Sequence, residues 1–311
     1  MSLENKTMIT EIILLGFSAD FRTKVVLFVV FLVIYVATLV GNYLIIIIII
    51  INPHLRTPMY FFLCILSLLD LGNSSSVVPR MLYHLLSAQR SISLGACTLQ
   101  FYTIMLMGGT ECLLLALMAY DRYVAICRPL RYPVVMRWSV CYRLTALLLI
   151  ISFFLFVFPS LSSPMALCNP NRVNHYMCEL LAIIKLACVH VRSSEVSILV
   201  LCFTSILLPF VYIIVTYGCI IAAVLQIKSA GRSKAFSTCT SHISVVALYF
   251  GTGMVMYFGS SSDYSTSQGK YISVFYNIVC PMLNPIIYSL NNKEVKETIK
   301  KLCISSISMT S

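Results

Sequence analysis

The sequence predicts an all-α membrane protein: a seven-helix transmembrane bundle with a short amphipathic helix at its carboxyl end. Three observations predict it. Of 311 residues, 59% are hydrophobic and only 11% are charged, with a mean hydropathy of +0.91. Soluble domains carry about 25% charged residues, so this chain cannot cover a water-facing surface and a bilayer must be its solvent. Seven apolar runs lie near 25–51, 58–84, 97–123, 140–162, 196–226, 236–259 and 270–290, each meeting the roughly 20 residues a span needs. None alternates with period two, and all are too long for barrel strands. Each run must then satisfy its own backbone, which only a helix does.

Taken in order, the first 20 residues carry Glu4, Glu11 and Asp20 without a basic leader. No cleaved signal is expected, and the first span acts as its own anchor. Asn5-Lys6-Thr7 is a glycosylation sequon on this tail. Asn73-Ser74-Ser75 is another, but it lies inside the second run, where a glycan does not fit. The first run ends in the isoleucines Ile45 to Ile51, which would aggregate in water. The longest connector is about 163–195. After Asn291, Lys293 to Cys303 sets Val295, Ile299 and Leu302 at helical spacing among Lys and Glu, the pattern of a helix lying on a membrane surface. Cys303 there is either a palmitoylation site or a plain thiol.

The net charge of +11 would point to nucleic acid in a soluble protein. Here the basic residues fall in connectors and run ends, with no basic face interleaved with aromatics, so no nucleic-acid partner is expected. More of the Lys and Arg lie on the side of Arg122, Arg128, Arg131, Arg137 and Arg143 than on the other. The positive-inside rule makes that side cytoplasmic, the amino terminus extracellular and the carboxyl terminus cytoplasmic, in a multi-pass protein of the plasma membrane.

Several stretches carry a resemblance. Met118-Ala-Tyr-Asp-Arg-Tyr-Val-Ala-Ile-Cys127 closes the third run. Gly41-Asn42, Leu55-Arg-Thr-Pro-Met-Tyr-Phe-Phe-Leu63, Ser67-Leu-Leu-Asp70, Pro79-Arg-Met-Leu82, Lys234-Ala-Phe-Ser-Thr-Cys-Thr-Ser-His242 and Pro281-Met-Leu-Asn-Pro-Ile-Ile-Tyr288 follow through the chain. Together they resemble the odorant (olfactory) receptor branch of the rhodopsin-like G-protein-coupled receptors. Departures are Arg56 in place of a usual His, Asn291 in place of an Arg, and Tyr249-Phe250 in inverted order, which removes a hydroxyl from position 250. The sixth run lacks proline and tryptophan, as is normal in that branch.

The resemblance implies a receptor that binds small, mostly neutral odorants in a transmembrane pocket. It further implies activation of a heterotrimeric stimulatory olfactory G protein that raises cAMP, and possible trafficking chaperones as partners. It points inward at Met105, Gly108, Gly109, Cys112, Cys202, Ser205, Phe250, Gly253, Met254, Tyr257 and Asn277 as the ligand set, with Ser205, Tyr257 and Asn277 as its sparse polar groups. Ile104 and Met105 stand where amine receptors carry an acid, which disfavours cationic ligands. Lys270 is expected to be solvated at its span end.

For the inner face the resemblance implies a switch of Asp121, Arg122, Tyr123, Tyr217 and Tyr288, with Arg122 paired to Asp121 holding the inner ends together. Asp70 and Glu111 are the carboxylates deep inside spans. Each costs on the order of 3 kcal/mol there unless paired or hydrated. With Asn284 they form a candidate Na⁺ or H⁺ site, the simpler reading being two protonated, hydrogen-bonded acids.

Cys97, Cys168, Cys178 and Cys188 lie at or near connectors. Four cysteines allow three connectivities; the resemblance implies Cys97–Cys178 and Cys168–Cys188. A zinc site using His175 and His190 is the rival, and an oxidising exterior favours disulfides. No phosphate-binding loop and no nucleophile–base pair is legible, so no enzyme is expected. A transporter would need internal repeats or broken spans, and an adhesion protein a large outer domain. Neither is present in the sequence. A non-volatile ligand in another tissue remains an alternative.

Overall fold

The computed structural model describes residues 10–17, 19–162, 167, 171–179, 182–183, 186, 192–226, 229–258, 267–291, 295–296 and 298; at 162, 192–203, 229–238, 256–258, 267–268 and 290–291 it describes the backbone alone. Seven long helical stretches dominate. They are α1 (Phe21–Ile51), α2 (Pro58–Leu86), α3 (Leu94–Cys127), α4 (Trp138–Ser152 continuing through Phe153–Val157 into Phe158–Ser162), α5 (Arg192–Leu225), α6 (Ser229–Phe258) and α7 (Ser267–Val274 continuing through Phe275–Val279 into Cys280–Asn291). Among the described residues six are long and apolar enough to cross a membrane, and the part of α6 whose side chains are described, Cys239–Val255, is apolar as well.

The helices outrun the predicted apolar runs because backbone pairing continues past the last greasy side chain. Asp20 caps α1: its carboxylate accepts from the Thr23 amide at 3.3 Å and from the Thr23 hydroxyl at 2.6 Å. Those hydrogen bonds hold the Asp20 carboxyl below the usual range. Ser93 accepts from the Ala96 amide to open α3 three residues before the predicted start. Proline at the first turn begins α2. Both π-turns, Phe153–Val157 and Phe275–Val279, rotate the face that α4 and α7 present beyond them.

Burial is inverted relative to a soluble protein. Val26, Val33, Val40, Ile47 and Ile50 lie exposed along α1, whereas Asn42, Asp70, Asn73, Glu111, Asp121, Asn277 and Asn284 are buried. An aliphatic outer belt around a polar interior is the arrangement lipid requires. The Gly41-Asn42 pair shows the physics of one motif. A Cβ on Gly41 would stand 2.9 Å from Pro285 Cγ, so only glycine lets α1 approach α7 this closely. Asn42 then donates to the Pro281 carbonyl at 3.0 Å, an oxygen partly freed because the proline at 285 has no N–H to offer it.

At the Cys97 end lies an element that hydropathy did not reveal, a three-stranded sheet. Its strands are β1 (Glu11–Leu14), β2 (Ser91–Ser93) and β3 (Arg172–Val173), in the order β2-β1-β3. β1 runs antiparallel to β2, with Ile12 opposite Ile92, and parallel to β3, with Leu14 opposite Val173. Ile12, Leu14 and Ile92 pack with Cys97, Phe101 and Cys178 in a small core. Lys270 is not solvated as the sequence led one to expect. It is buried, and its ammonium donates to the Gly16 carbonyl at 2.7 Å, tying the amino-terminal segment to α7. Of the predicted surface helix at 293–303, only residues 295, 296 and 298 are described. Val295 is buried in the main core, and Asn52 donates to Thr298 Oγ1 at 2.9 Å. Asn5 and Cys303 lie outside the described residues.

Candidate functional site

Three places along the bundle hold functional residues that the sequence nominated. The first is a cavity of about 70 Å³ enclosed by α3 to α7. Of the residues expected there, Met105, Gly108, Gly109 and Cys112 on α3 line it, as do Ser205 on α5 and Phe250 and Gly253 on α6. Met254 instead packs beside the main core. The side chains of Cys202 and Tyr257 lie outside the described residues.

Asn277 does not line the cavity. It is buried against α2 and its own helix, donating to the Ser273 carbonyl at 3.0 Å and accepting from Asn73 at 3.4 Å. The π-turn at Phe275–Val279 sets that orientation and brings Tyr276 to the cavity instead.

Sequence reasoning missed Ile104, Phe156, Ile206, Tyr249 and Tyr276. The inverted Tyr249-Phe250 order does not cost the cavity its hydroxyl. Tyr249 donates to the Gly108 carbonyl at 2.6 Å, and Tyr276 donates to the Tyr249 oxygen at 2.6 Å. Phe156 arrives from the π-turn of α4, and its ring occupies the space a Cβ on Gly109 would need. Gly109→Val must therefore expel the Phe156 ring into the cavity. It is expected to raise the concentration of ligand needed for half-maximal binding by tenfold or more, with little loss of folded protein; unchanged binding would show that the ring does not bound the ligand space.

The second place is the carboxylate site. Asp70 is fully buried, and the Asn284 amide donates to its two oxygens at 3.2 and 3.0 Å. Glu111 is also buried, interacts with Asn284 and lies within electrostatic reach of Asp70. All three residues the sequence nominated are thus together between α2, α3 and α7.

The third place is the Arg122 end. Arg122 Nε donates to Asp121 Oδ2 at 2.9 Å, and its terminal nitrogen also binds that oxygen. The Tyr132 hydroxyl donates to the other oxygen, Oδ1, at 2.9 Å. The pair does not by itself hold separate helices together, as expected from sequence: it closes within α3 and onto the turn that follows.

The tie between helices is His242, which in the sequence is only the last residue of a motif. Its Nε2 lies 3.1 Å from the Leu115 carbonyl and its Nδ1 lies 2.7 Å from the Tyr217 hydroxyl. A carbonyl only accepts, so Nε2 carries a proton, and in the neutral ring Nδ1 then accepts from Tyr217. One neutral imidazole thereby links α3, α5 and α6. Tyr288 is buried in the same core, and Tyr123 lies under the Arg128 guanidinium at 5.8 Å.

On the opposite side, Cys97 and Cys178 form a disulfide with Cα atoms 5.5 Å apart. Gln100 seats the loop beside it, accepting from the Cys178 amide at 2.9 Å and donating to the Ser76 carbonyl at 2.7 Å. Cys168, Cys188 and His190 lie outside the described residues. Among the described residues no group of three His, Cys, Asp or Glu is placed to hold a metal.

His175 accepts from the Met177 amide through Nδ1, with Nε2 3.2 Å from Glu179. Burial, then the positive charge of Lys270, pushes His175 down to about 3. Stability from its neutral form is complete above the ordinary value of 6.5 and is lost as pH falls from there toward 3. His175→Asn is expected to flatten the melting temperature of the purified chain between pH 6.5 and 4. A variant as acid-sensitive as the parent would refute that role.

The comparisons with known proteins decide the family. The olfactory receptor family model matches residues 31–306. The chain belongs to the olfactory receptor family. It is 44% identical to human olfactory receptor 2F1, over 100% of this chain and 99% of that relative. It is 44% identical to the dog olfactory receptor-like protein OLF3, over 97% of this chain and 96% of the relative, and 46% identical to mouse olfactory receptor 5P80, over 96% and 97%. As an olfactory receptor it is a multi-pass membrane protein and not an enzyme.

Proposed function

We propose that this chain is an odorant receptor of the plasma membrane that holds a small, mostly neutral volatile molecule in the cavity of α3 to α7. When occupied, it activates a heterotrimeric stimulatory olfactory G protein and raises cAMP. The observation that carries this is the continuity of α3. The same helix lines the cavity through Gly108 and Cys112, places Glu111 beside Asp70, accepts the α6 tie at Leu115, and ends in Asp121-Arg122. A ligand that changes how α3, α6 and α7 pack around the cavity acts on the far end through that rod. Its leverage is only its differential affinity for the two arrangements.

Apolar burial at about 25 cal/mol per Å² supplies the affinity. Ile104 and Met105 at the α3 wall give a cation no counter-charge. The Arg122 end is read as cytoplasmic and the Cys97 end as extracellular, which places the disulfide in oxidising surroundings. Trafficking chaperones belong to the same reading. The test is a cAMP readout in transfected cells against a broad odorant panel. Surface-expressed receptor that answers no volatile, or that answers with a current needing no G protein, would overturn it.

The carboxylate site is proposed to take Na⁺ or H⁺ and to favour the inactive arrangement. Asp70→Asn is expected to abolish the sodium dependence of basal cAMP. Sodium-insensitive signalling in the parent, together with unchanged signalling in the variant, would count against it.

A further inference from the structure

The hydrogens around the cavity can be assigned from connectivity alone. Tyr249 Oη lies 2.6 Å from the Gly108 carbonyl oxygen. A carbonyl has no proton to give and a phenol has one, so the Tyr249 proton is committed there. The 2.6 Å bond between the two tyrosine oxygens can then only be Tyr276 donating to Tyr249. The Cys112 thiol is likewise turned to the Ser205 carbonyl at 3.2 Å. Asn277, the amide expected to serve a ligand, spends its donors on Ser273. These donors all point into protein. What the two phenols present to the cavity is oxygen, standing 3.4 Å (Tyr276) and 3.9 Å (Tyr249) from where a Cβ of the wall residue Gly108 would be.

We infer that the Tyr249–Tyr276 pair makes this receptor selective for ligands that donate a hydrogen bond, an alcohol or phenol on a small apolar body, over ketones, esters and ethers of the same shape. This rests on the cavity being the ligand pocket. A hydroxyl ligand gives its proton to a phenolic oxygen and leaves the α7–α6–α3 chain intact. At this pair a ketone finds no donor unless it takes the Tyr276 proton away from Tyr249, and the bond gained only replaces the bond lost. An ether is in the same position.

The test uses cyclohexanol, cyclohexanone and methoxycyclohexane, which share a ring and differ in donor capacity. Each is titrated against the purified full chain in lipid nanodiscs, reading the rise in melting temperature, with cAMP measured separately in cells. Cyclohexanol is expected to half-saturate at about tenfold lower concentration than either analogue, the worth of one hydrogen bond.

Tyr249→Phe strips Tyr276 of its acceptor and makes its proton available, so the ranking shifts toward cyclohexanone. Tyr276→Phe narrows the preference without favouring the ketone. A tyrosine of merely structural importance would weaken all three probes alike. Equal saturation by the three, a parent that prefers the ketone, no stabilisation by any probe, or an unchanged ranking in Tyr249→Phe overturns the inference. Melting shifts in the expected order with a silent cAMP readout would instead overturn the signalling reading and leave this one standing.

Discussion

Arg122→Ala is expected to abolish odorant-driven cAMP while receptor still reaches the cell surface. Arg122 is nearly buried and holds Asp121 through two nitrogens, with Tyr132 on the other carboxylate oxygen. In the proposed function its guanidinium, released from that pair, is the charge at the α3 end offered to the G protein. Alanine removes it. The variant also leaves Asp121 buried with Tyr132 as its hydrogen-bond partner in place of a cation, and breaking a buried pair costs about 3–5 kcal/mol. Surface labelling and ligand-induced melting shifts must therefore be read beside the cAMP signal. Arg122→Lys separates the two effects: it keeps the charge but loses the planar two-nitrogen grip, and should restore folding with only a small part of the response. Full signalling in Arg122→Ala would remove Arg122 from the switch.

Cys178→Ser has the second large effect, and it falls on folding. The disulfide joins residues 81 apart, and closing a loop of that order in the unfolded chain is worth about 4–5 kcal/mol in the entropic account. It also anchors the segment in which Tyr176 stacks on Phe17 at 5.4 Å and donates to or accepts from Ser273 at 3.0 Å. Without it, β3 and the Gln100 contact lose their fixed end. The expected result is retention of the variant inside the cell and a melting temperature lowered by several degrees or more. Cys97→Ser should behave the same, and the double variant no worse than either. A single variant with normal surface levels would mean that the sheet and Lys270 hold the outer cap without the covalent link.

The family motifs were legible as fixed residue patterns, whatever demand each meets. Asp121-Arg122 are neighbours in sequence and pair within their own helix, whereas Gly41 must be small against Pro285, far along the chain. Asp70 and Glu111 stood out in the sequence because a carboxylate in hydrocarbon survives only beside a partner, and the family resemblance grouped them with Asn284. Where helix orientation mattered, the sequence misled. Asn277 and Tyr276 are adjacent, and a sequence cannot say which one faces the cavity; the π-turn beginning at Phe275 decides it. Phe156 enters the pocket for the same reason from α4. Lys270 looked like a solvated span end because its acceptor, the Gly16 carbonyl, is 254 residues away. The strand at Glu11–Leu14 was invisible because its ladder partners are distant and it is too short to show a period.

From its sequence alone, this protein is bound to lipid, to seven helical runs and to a charged Asp121-Arg122 end, because hydropathy and backbone satisfaction are properties of each segment by itself. The tertiary structure decided which oxygens line the cavity, which imidazole joins α3, α5 and α6, and where the amino-terminal segment is pinned. Those depend on helix rotation and on hydrogen bonds between residues up to 254 positions apart, such as Tyr249 to Gly108 and Lys270 to Gly16, and no local pattern encodes them.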